Sequence, residues 1–318
     1  VSHPEAIPKF PDIERFHIVI ASRSRIADRA ACVVRWRRSI SSPQGFPMSE
    51  TAPIFNRVLL TNDDGYDAPG LKILEQAVAT LAREVWVVAP AEDQSGTSHS
   101  LTLHEPLRVH HKGERRFAVR GTPGDCVALA VGHLMEDARP DLVLSGVNRG
   151  ANLGTETVFS GTVGAAMTSM LLGVPAIALS QAFTDRESVP WNTALEHAPN
   201  VIRQLVALGW ERDACLNVNF PAIPAKDVGP IRMTSQGAGV LQGVDVIARR
   251  DPRELDYYWL KLSRAPREDA ADSETVSLRA GHVTVTPLKF ERTHEHALSG
   301  LRSRHLAGEQ TTSDDPTF

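Results

Sequence analysis

"LLTNDDGYDAPG", Leu59 to Gly70, is the stretch on which the fold turns. Val58, Leu59 and Leu60 form a continuous apolar run that ends in Asn62, Asp63, Asp64 and Gly65. Asn, Asp and Gly are turn formers, and alone they would only lead the chain out of a strand. The flanks say more. Arg57–Thr61 reads as a short buried strand. Pro69 stands where a helix can begin, because a first-turn proline gives up no needed hydrogen bond. Leu71, Leu74, Ala77, Val78 and Leu81 follow at helical spacing, and Glu84–Ala89, "EVWVVA", is the next strand. The unit is strand, loop, helix, strand. Its first loop opens at the carboxyl end of a strand, where open α/β sheets bind ligands. Two adjacent carboxylates there repel each other unless a cation lies between them, so the pair predicts a divalent metal.

The alternation continues downstream. Leu101–His110 and Arg116–Arg120 read as a hairpin pair around Lys112-Gly113-Glu114, and Pro123–Met135 as a helix. Asp141–Ser145 is a buried strand, followed by a Gly-rich loop and a helix from about Ser160 to Leu172. Val174–Leu179, Thr193–Leu208 and Cys215–Phe220 read as strand, helix and strand. This predicts an α/β fold, a doubly wound and mostly parallel sheet of Rossmann-like, three-layer type. After Pro221 come short β-like pieces, "GPIRMTSQG", "YYWLKL" and "GHVTVTPL", around a charged stretch, "RAPREDAADSE". Such pieces are too short for a sheet of their own and need the main domain or another subunit as partner. "FERTHEHALSGLRSRHL", Phe290–Leu306, places Ala297, Leu298 and Leu301 on one side, as a short docking helix would. The expected organisation is a domain over 48–306, divided into an α/β core at 48–221 and a β-rich extension with a C-terminal helix at 222–306. Residues 307–318 form a flexible tail.

The chain has 318 residues and a formal charge of −4, with both signs mixed along it. It shows no basic stripe, which argues against a nucleic-acid polymer as partner. Cys32, Cys126 and Cys215 form no CxxC pair. That indicates neither a zinc site nor a disulfide framework, and suits reduced thiols in the cytoplasm. No apolar run reaches membrane-spanning length. "MTSMLLGVPAIALS" is interrupted by Gly173 and Pro175 and reads as a helix end, a turn and a strand. Residues 1–47 differ in character, with Arg23, Arg25, Arg29, Arg35, Arg37 and Arg38 among scattered Ser and Pro. Glu5, Asp12, Glu14 and Asp28 argue against a transit peptide, and "FHIVIA" is too short for a secretory core. Met48 opens an ordinary start, "MSETAPIFNRVLL", so 1–47 is expected to be a disordered or non-native extension.

Three further polar loops leave strand ends on the same sheet edge: Ala89–Leu103, Ser145–Gly154 and Phe159–Met167. Asp63 and Asp64 with neutral oxygens from Ser95 and Asn148 make an all-oxygen set, which suits one Mg²⁺ or Mn²⁺ and not zinc. Such an ion polarises a phosphoryl oxygen and acidifies a water. Ser160, Gly161 and Thr162 stand at a helix start, a natural phosphate seat, with Asn152 on the neighbouring loop. Plain N-capping by Ser160 is the structural alternative. Phosphate monoester hydrolysis needs mainly this positioning and charge neutralisation. His99, in "GTSHS", is the candidate for proton transfer to the leaving group, against a merely solvated loop histidine. Asp125, in "GTPGDC", reads first as a helix cap. Trp191, Trp210 and Trp259 read as core or interface residues, and Tyr257 and Tyr258 lie within reach of a partner subunit.

"VLLTNDDGYDAPG", "SGTSHSLTL", "GTPGDCVALA", "SGVNRGANLG", "SGTVGAAM" and "LNVNFP" resemble, in order, the motifs of the SurE family (survival protein E), the metal-dependent 5′/3′-nucleotidases. The resemblance runs from about Arg57 to Pro287. It implies Asp63, Asp64, Ser95 and Asn148 as ligands of one divalent ion per subunit. It also implies release of phosphate from nucleoside monophosphates, with 3′-nucleotides and short polyphosphate as further substrates. Assembly into dimers or tetramers through the C-terminal hairpin and helix is expected. It does not reach residues 1–47, and Val240–Pro252 and Arg267–Glu274 depart from the pattern. Two other classes remain open. A non-catalytic nucleotide-binding module would have little use for two adjacent carboxylates beside a phosphate. A haloacid-dehalogenase-like phosphatase needs Asp-x-Asp, whereas here the two Asp are adjacent.

Overall fold

A computed structural model describes residues 52–312, with side chains through His305. The expectations for residues 1–47, for Cys32 and for the end of the tail lie outside the described residues. The chain runs β1 (Phe55–Thr61), α1 (Pro69–Val78), β2 (Ala82–Pro90), β3 (Arg108–Gly113), β4 (Arg116–Arg120), α2 (Pro123–Leu129) and β5 (Leu142–Arg149). It continues through α3 (Gly161–Leu171), β6 (Ala176–Gln181), α4 (Trp191–Leu208), β7 (Cys215–Phe220), β8 (Gly229–Met233), β9 (Leu241–Arg250) and β10 (Asp256–Arg264). It ends with α5 (Glu274–Arg279), β11 (His282–Leu288) and α6 (Glu295–Thr312), so the C-terminal helix runs on through 307–312, where a flexible tail is expected from the sequence.

Nine strands form one sheet in the order β3-β4-β2-β1-β5-β6-β7-β11-β8. From β4 across to β7 every neighbour is parallel, while β3 and β11 run against β4 and β7. The central strands are covered on both faces, which is why they read as unbroken apolar runs. Val58 and Leu60 of β1 enter one core layer with Leu71, Leu74 and Ile202 under α1 and α4. Leu59 enters the opposite layer with Val127, Val163 and Met167 under α2 and α3. β2 and β5 lie on opposite sides of β1, so the connections from β1 and β5 diverge and leave a crevice at their carboxyl ends.

Three further local expectations are corrected. The first hairpin strand begins at Arg108, not Leu101. Thr102 is pinned instead to Asp125, through its N–H at 2.8 Å and its hydroxyl at 2.6 Å. The helix from Pro123 is α-helical only to Leu129 and continues over Ala130–Leu134 as a π-helical turn. Asp125 does cap it, in a reciprocal box with Thr122. The pieces after Pro221 divide. β8 and β11 complete the main sheet, whereas Val240–Pro252 is largely strand β9, paired antiparallel to β10 along almost its whole length. These strands have 10 and 9 residues, longer than expected, and they form a separate two-stranded sheet. Charged and apolar residues interleave in β9 because neither face is buried, which hid the strand from periodicity. No helix among the described residues is long and apolar enough to cross a membrane. Gly173, at φ +78°, turns the chain between α3 and β6.

Candidate active site

Asp63 is buried, and its side chain is held by a residue far along the chain. The Thr162 hydroxyl, itself fully buried, donates to Asp63 Oδ1 at 2.5 Å. Gly161 packs directly on Asp63: a Cβ there would lie 2.7 Å from Asp63 Cβ and 3.0 Å from Oδ2. Asp64 turns the other way and accepts the Arg149 backbone N–H at 3.0 Å. The loop after β2 closes a third side. Gln94 N–H donates to the Asp63 carbonyl at 2.7 Å, and a Cβ on Gly65 would meet Glu92 C at 3.2 Å. Gly65 has φ +101°, so both the turn and this close approach favour glycine. The loops carrying Asp63, Asp64, Ser95, Asn148 and Thr162 are thereby brought to one edge of the sheet.

The neutral candidates are oriented as oxygen donors. Ser95 gives its hydroxyl proton to Asp93 Oδ1 at 2.6 Å, so a lone pair is what it can offer a cation. Asn148 donates through Nδ2 to the Gly150 carbonyl at 2.8 Å, which leaves Oδ1 for the same purpose. Asn62 Oδ1, next to Asp63 in the chain, and Ser145 Oγ, on the strand position opposite Thr61, are buried without a hydrogen-bond partner. Burial raises Asp63 to about 7, with a further push from Asp64, against the lowering bond from Thr162. Burial also raises Asp64, against the N–H and the charge of Arg149. Two desolvated carboxylates with neutral oxygens around them are the donor set of a hard divalent cation, so the residues fit the ion their spacing predicted. Among the described residues no group of three or more His, Cys, Asp or Glu could hold a metal, so neutral oxygens must complete any such set. Asp64 and Arg149 also line a small crevice of about 90 Å³ with Ala68, Pro69, Gly70 and Trp191.

The family model described as "Survival protein SurE" matches residues 58–242. The chain is 75% identical over 256 residues to "5′-nucleotidase SurE 1" of Burkholderia lata, covering 80% of this chain and 99% of that protein. This chain belongs to the SurE family. It is also 46% identical over 247 residues to "5′-nucleotidase SurE" of Paramagnetospirillum magneticum, covering 78% of this chain and 95% of the other. Among solved structures, the SurE protein of Aquifex aeolicus aligns with a TM-score of 0.67 at 34% identity, over 78% of this chain and 99% of that one.

In this SurE chain the other predicted residues are placed as follows. Ser160 caps α3 by accepting the Val163 N–H at 3.1 Å. Asn152 is buried beneath the loop and donates through Nδ2 to Ser180 Oγ at 2.9 Å. His99 is half-buried, with Ser98 Oγ at 3.0 Å, Met167 Sδ at 2.9 Å and the Phe290 ring at 5.8 Å. None of these partners belongs to the Asp63–Asp64 group. Burial and Arg292 lower the His99 pKa. The remaining cysteines, Cys126 and Cys215, are free and buried. Sequence reasoning missed Arg149 and Asp93. Arg149 directly follows Asn148 in "SGVNR", and Asp93 precedes Ser95 by two positions, so nearness to named candidates was the available signal.

Proposed function

We propose that this chain is a divalent-metal-dependent 5′-nucleotidase that hydrolyses nucleoside 5′-monophosphates to nucleoside and phosphate. The observation that carries the reading is the Asp63–Asp64 pair, withdrawn from water at the carboxyl end of β1 in a SurE-family sheet. The names of its relatives point the same way. Asp63, Asp64, Ser95 and Asn148 would hold one Mg²⁺ or Mn²⁺. When bound, such an ion neutralises phosphoryl charge and polarises the phosphorus–oxygen bonds. The protein does the rest by positioning. Thr162 holds the Asp63 carboxylate, and the Arg149 N–H holds that of Asp64. The Arg149 side chain lines the same crevice as Asp64 and supplies positive charge for an anionic substrate. The start of α3, at Ser160 and Gly161, adds the positive end of a helix dipole for the phosphate, with Asn152 on the neighbouring loop. His99 stays the candidate for proton transfer, which requires its ring to leave Met167.

A phosphate-release panel tests the reading. Nucleoside 5′-monophosphates, a 3′-nucleotide and short polyphosphate are offered with Mg²⁺, Mn²⁺ or a chelator. Metal-dependent release, greatest from 5′-monophosphates, is expected. Tight nucleotide binding without release under any metal would turn the reading to a binding module. A trapped phospho-aspartate would turn it to the haloacid-dehalogenase class.

We also propose a homodimer or homotetramer assembled through the β9–β10 hairpin. Val246, Trp259 and Leu260 there are 64%, 63% and 73% exposed, and such apolar surface calls for a covering partner.

A further inference from the structure

The turn between Asn148 and α3 is held from outside the α/β core. Gly154 has both of its peptide groups occupied by side chains from the C-terminal extension. Its N–H donates to Glu274 Oε1 at 2.5 Å, and its carbonyl accepts from Gln236 Nε2 at 2.8 Å. Its backbone runs so close to Gly239 that a Cβ would lie 2.2 Å from Gly239 N, and its φ is +53°. Glu274 is fully buried in the first turn of α5. Its second oxygen accepts the Thr286 hydroxyl at 2.7 Å and, more distantly, the Asn217 amide at 3.5 Å. A buried carboxylate is tolerated only with such bonds. The Asn217 and Asn219 amides also donate to the Asn152 carbonyl, at 2.8 and 3.1 Å.

The consequences reach the site. A 3-10 turn over Gly154–Val158 leads into Ser160, whose N–H returns to the Thr157 carbonyl at 3.3 Å. Gln236 holds this turn a second time, through Thr157 Oγ1 at 2.9 Å. Ser98 hangs on the same turn, through its N–H to the Phe159 carbonyl at 3.3 Å and its hydroxyl to the Val158 carbonyl at 2.5 Å. Thr162, which holds Asp63, and the loop after Ser95 therefore share one support.

We propose that Glu274, seconded by Gln236, is a positioning residue for phosphate hydrolysis: it fixes the Gly154 turn and, through it, Ser160, Thr162 and Asp63. This rests on the nucleotidase reading above. The test compares Glu274→Ala, Glu274→Gln and Gln236→Ala with the parent. Phosphate release, calorimetric Mn²⁺ titration and amide hydrogen exchange are measured on each. Glu274→Ala should lower kcat about ten- to a hundredfold and weaken Mn²⁺ binding alongside it, since Asp63 loses its hold, with KM within about threefold of the parent. Exchange should rise at 152–162 while α1 and α4 stay protected. Glu274→Gln keeps an oxygen for Gly154 and should recover most of kcat. Gln236→Ala should move in the same direction by less, and it decides the matter if Glu274→Ala does not fold. Folded variants with kcat within about twofold of the parent and unchanged exchange at 152–162 would overturn the proposal. So would a kcat loss with exchange raised uniformly over the whole sheet. A parent that releases no phosphate defeats the nucleotidase reading instead, and exchange at 152–162 still reports whether Glu274 holds the turn.

Discussion

The carboxyl edge of the main sheet and the β9–β10 hairpin invert each other. At the sheet edge, polar groups are buried and apolar strands lie beneath them. Asp63, Asn152, Thr162 and Glu274 are all buried there and held by hydrogen bonds from distant segments. In the hairpin, apolar groups are exposed: Val244, Val246, Tyr258, Trp259 and Leu260 stand in solvent on a ribbon of two strands. Each region is unfavourable by itself. Buried carboxylates lose hydration and exposed aromatics order water. The first is relieved by internal partners and, as proposed, by a cation. The second has no partner of matching size among the described residues, and the proposed assembly would cover it. The two regions meet at one ion pair, Arg264 at the base of the hairpin with Glu156 in the turn before α3, at 3.0 Å.

The largest expected effect belongs to the carboxylate edge. Asp63→Asn should abolish Mn²⁺ binding and lower turnover by at least about a hundredfold, the scale on which even outer partners of a metal act. The assembly should be unchanged, since the hairpin is elsewhere. Calorimetry and light scattering on the same sample check both halves, and retained turnover at low metal would remove Asp63 from the site. Gly161→Ala comes next. Its methyl would meet Asp63 at 2.7 Å, so the carboxylate must move. Metal affinity and kcat should fall together, by about tenfold or more. Loss of phosphate binding with normal metal binding would instead return Gly161 to the phosphate seat alone.

A change in the hairpin should do the reverse. Trp259→Glu with Leu260→Lys should weaken association by roughly thirtyfold or more, the effect of losing about 2 kcal/mol at an aromatic anchor. The kcat of the separated subunits should stay within about threefold of the parent. Light scattering at falling concentration reads the first, and an unmodified protein that is already monomeric would break the comparison. The smallest effect is on stability against pH. The Asp63 carboxyl lies near 7 in the folded chain, against 3.8 for an ordinary aspartate. Between those values the folded protein holds a proton that the unfolded chain has released. Its stabilising contribution is therefore full below about 4 and is lost as pH rises through about 7, at up to about 1.4 kcal/mol per pH unit. Denaturant titrations of metal-free protein should show that slope, and Asp63→Asn should flatten it.

The sequence by itself determined the βαβ start, the order of strands and helices through Phe220, and the loops from which a site would be built. These are local properties: apolar runs, helical spacing, Pro69 at a helix start, and adjacent aspartates at a strand end. Where periodicity had no buried face to report, as in β9, the strand went unread. Where a side-chain bond overrides alternation, as with Thr102 on Asp125, the strand starts at Arg108, seven residues later than the alternation predicts. Tertiary structure alone decided that β8 and β11 complete the main sheet. It alone decided that Thr162 grips Asp63 across 99 positions and that Glu274 grips Gly154 across 120. Such pairs carry no mark in their own surroundings. Each is set by the register in which strands and helices pack, and that register minimises buried unpaired polar groups over the whole chain at once.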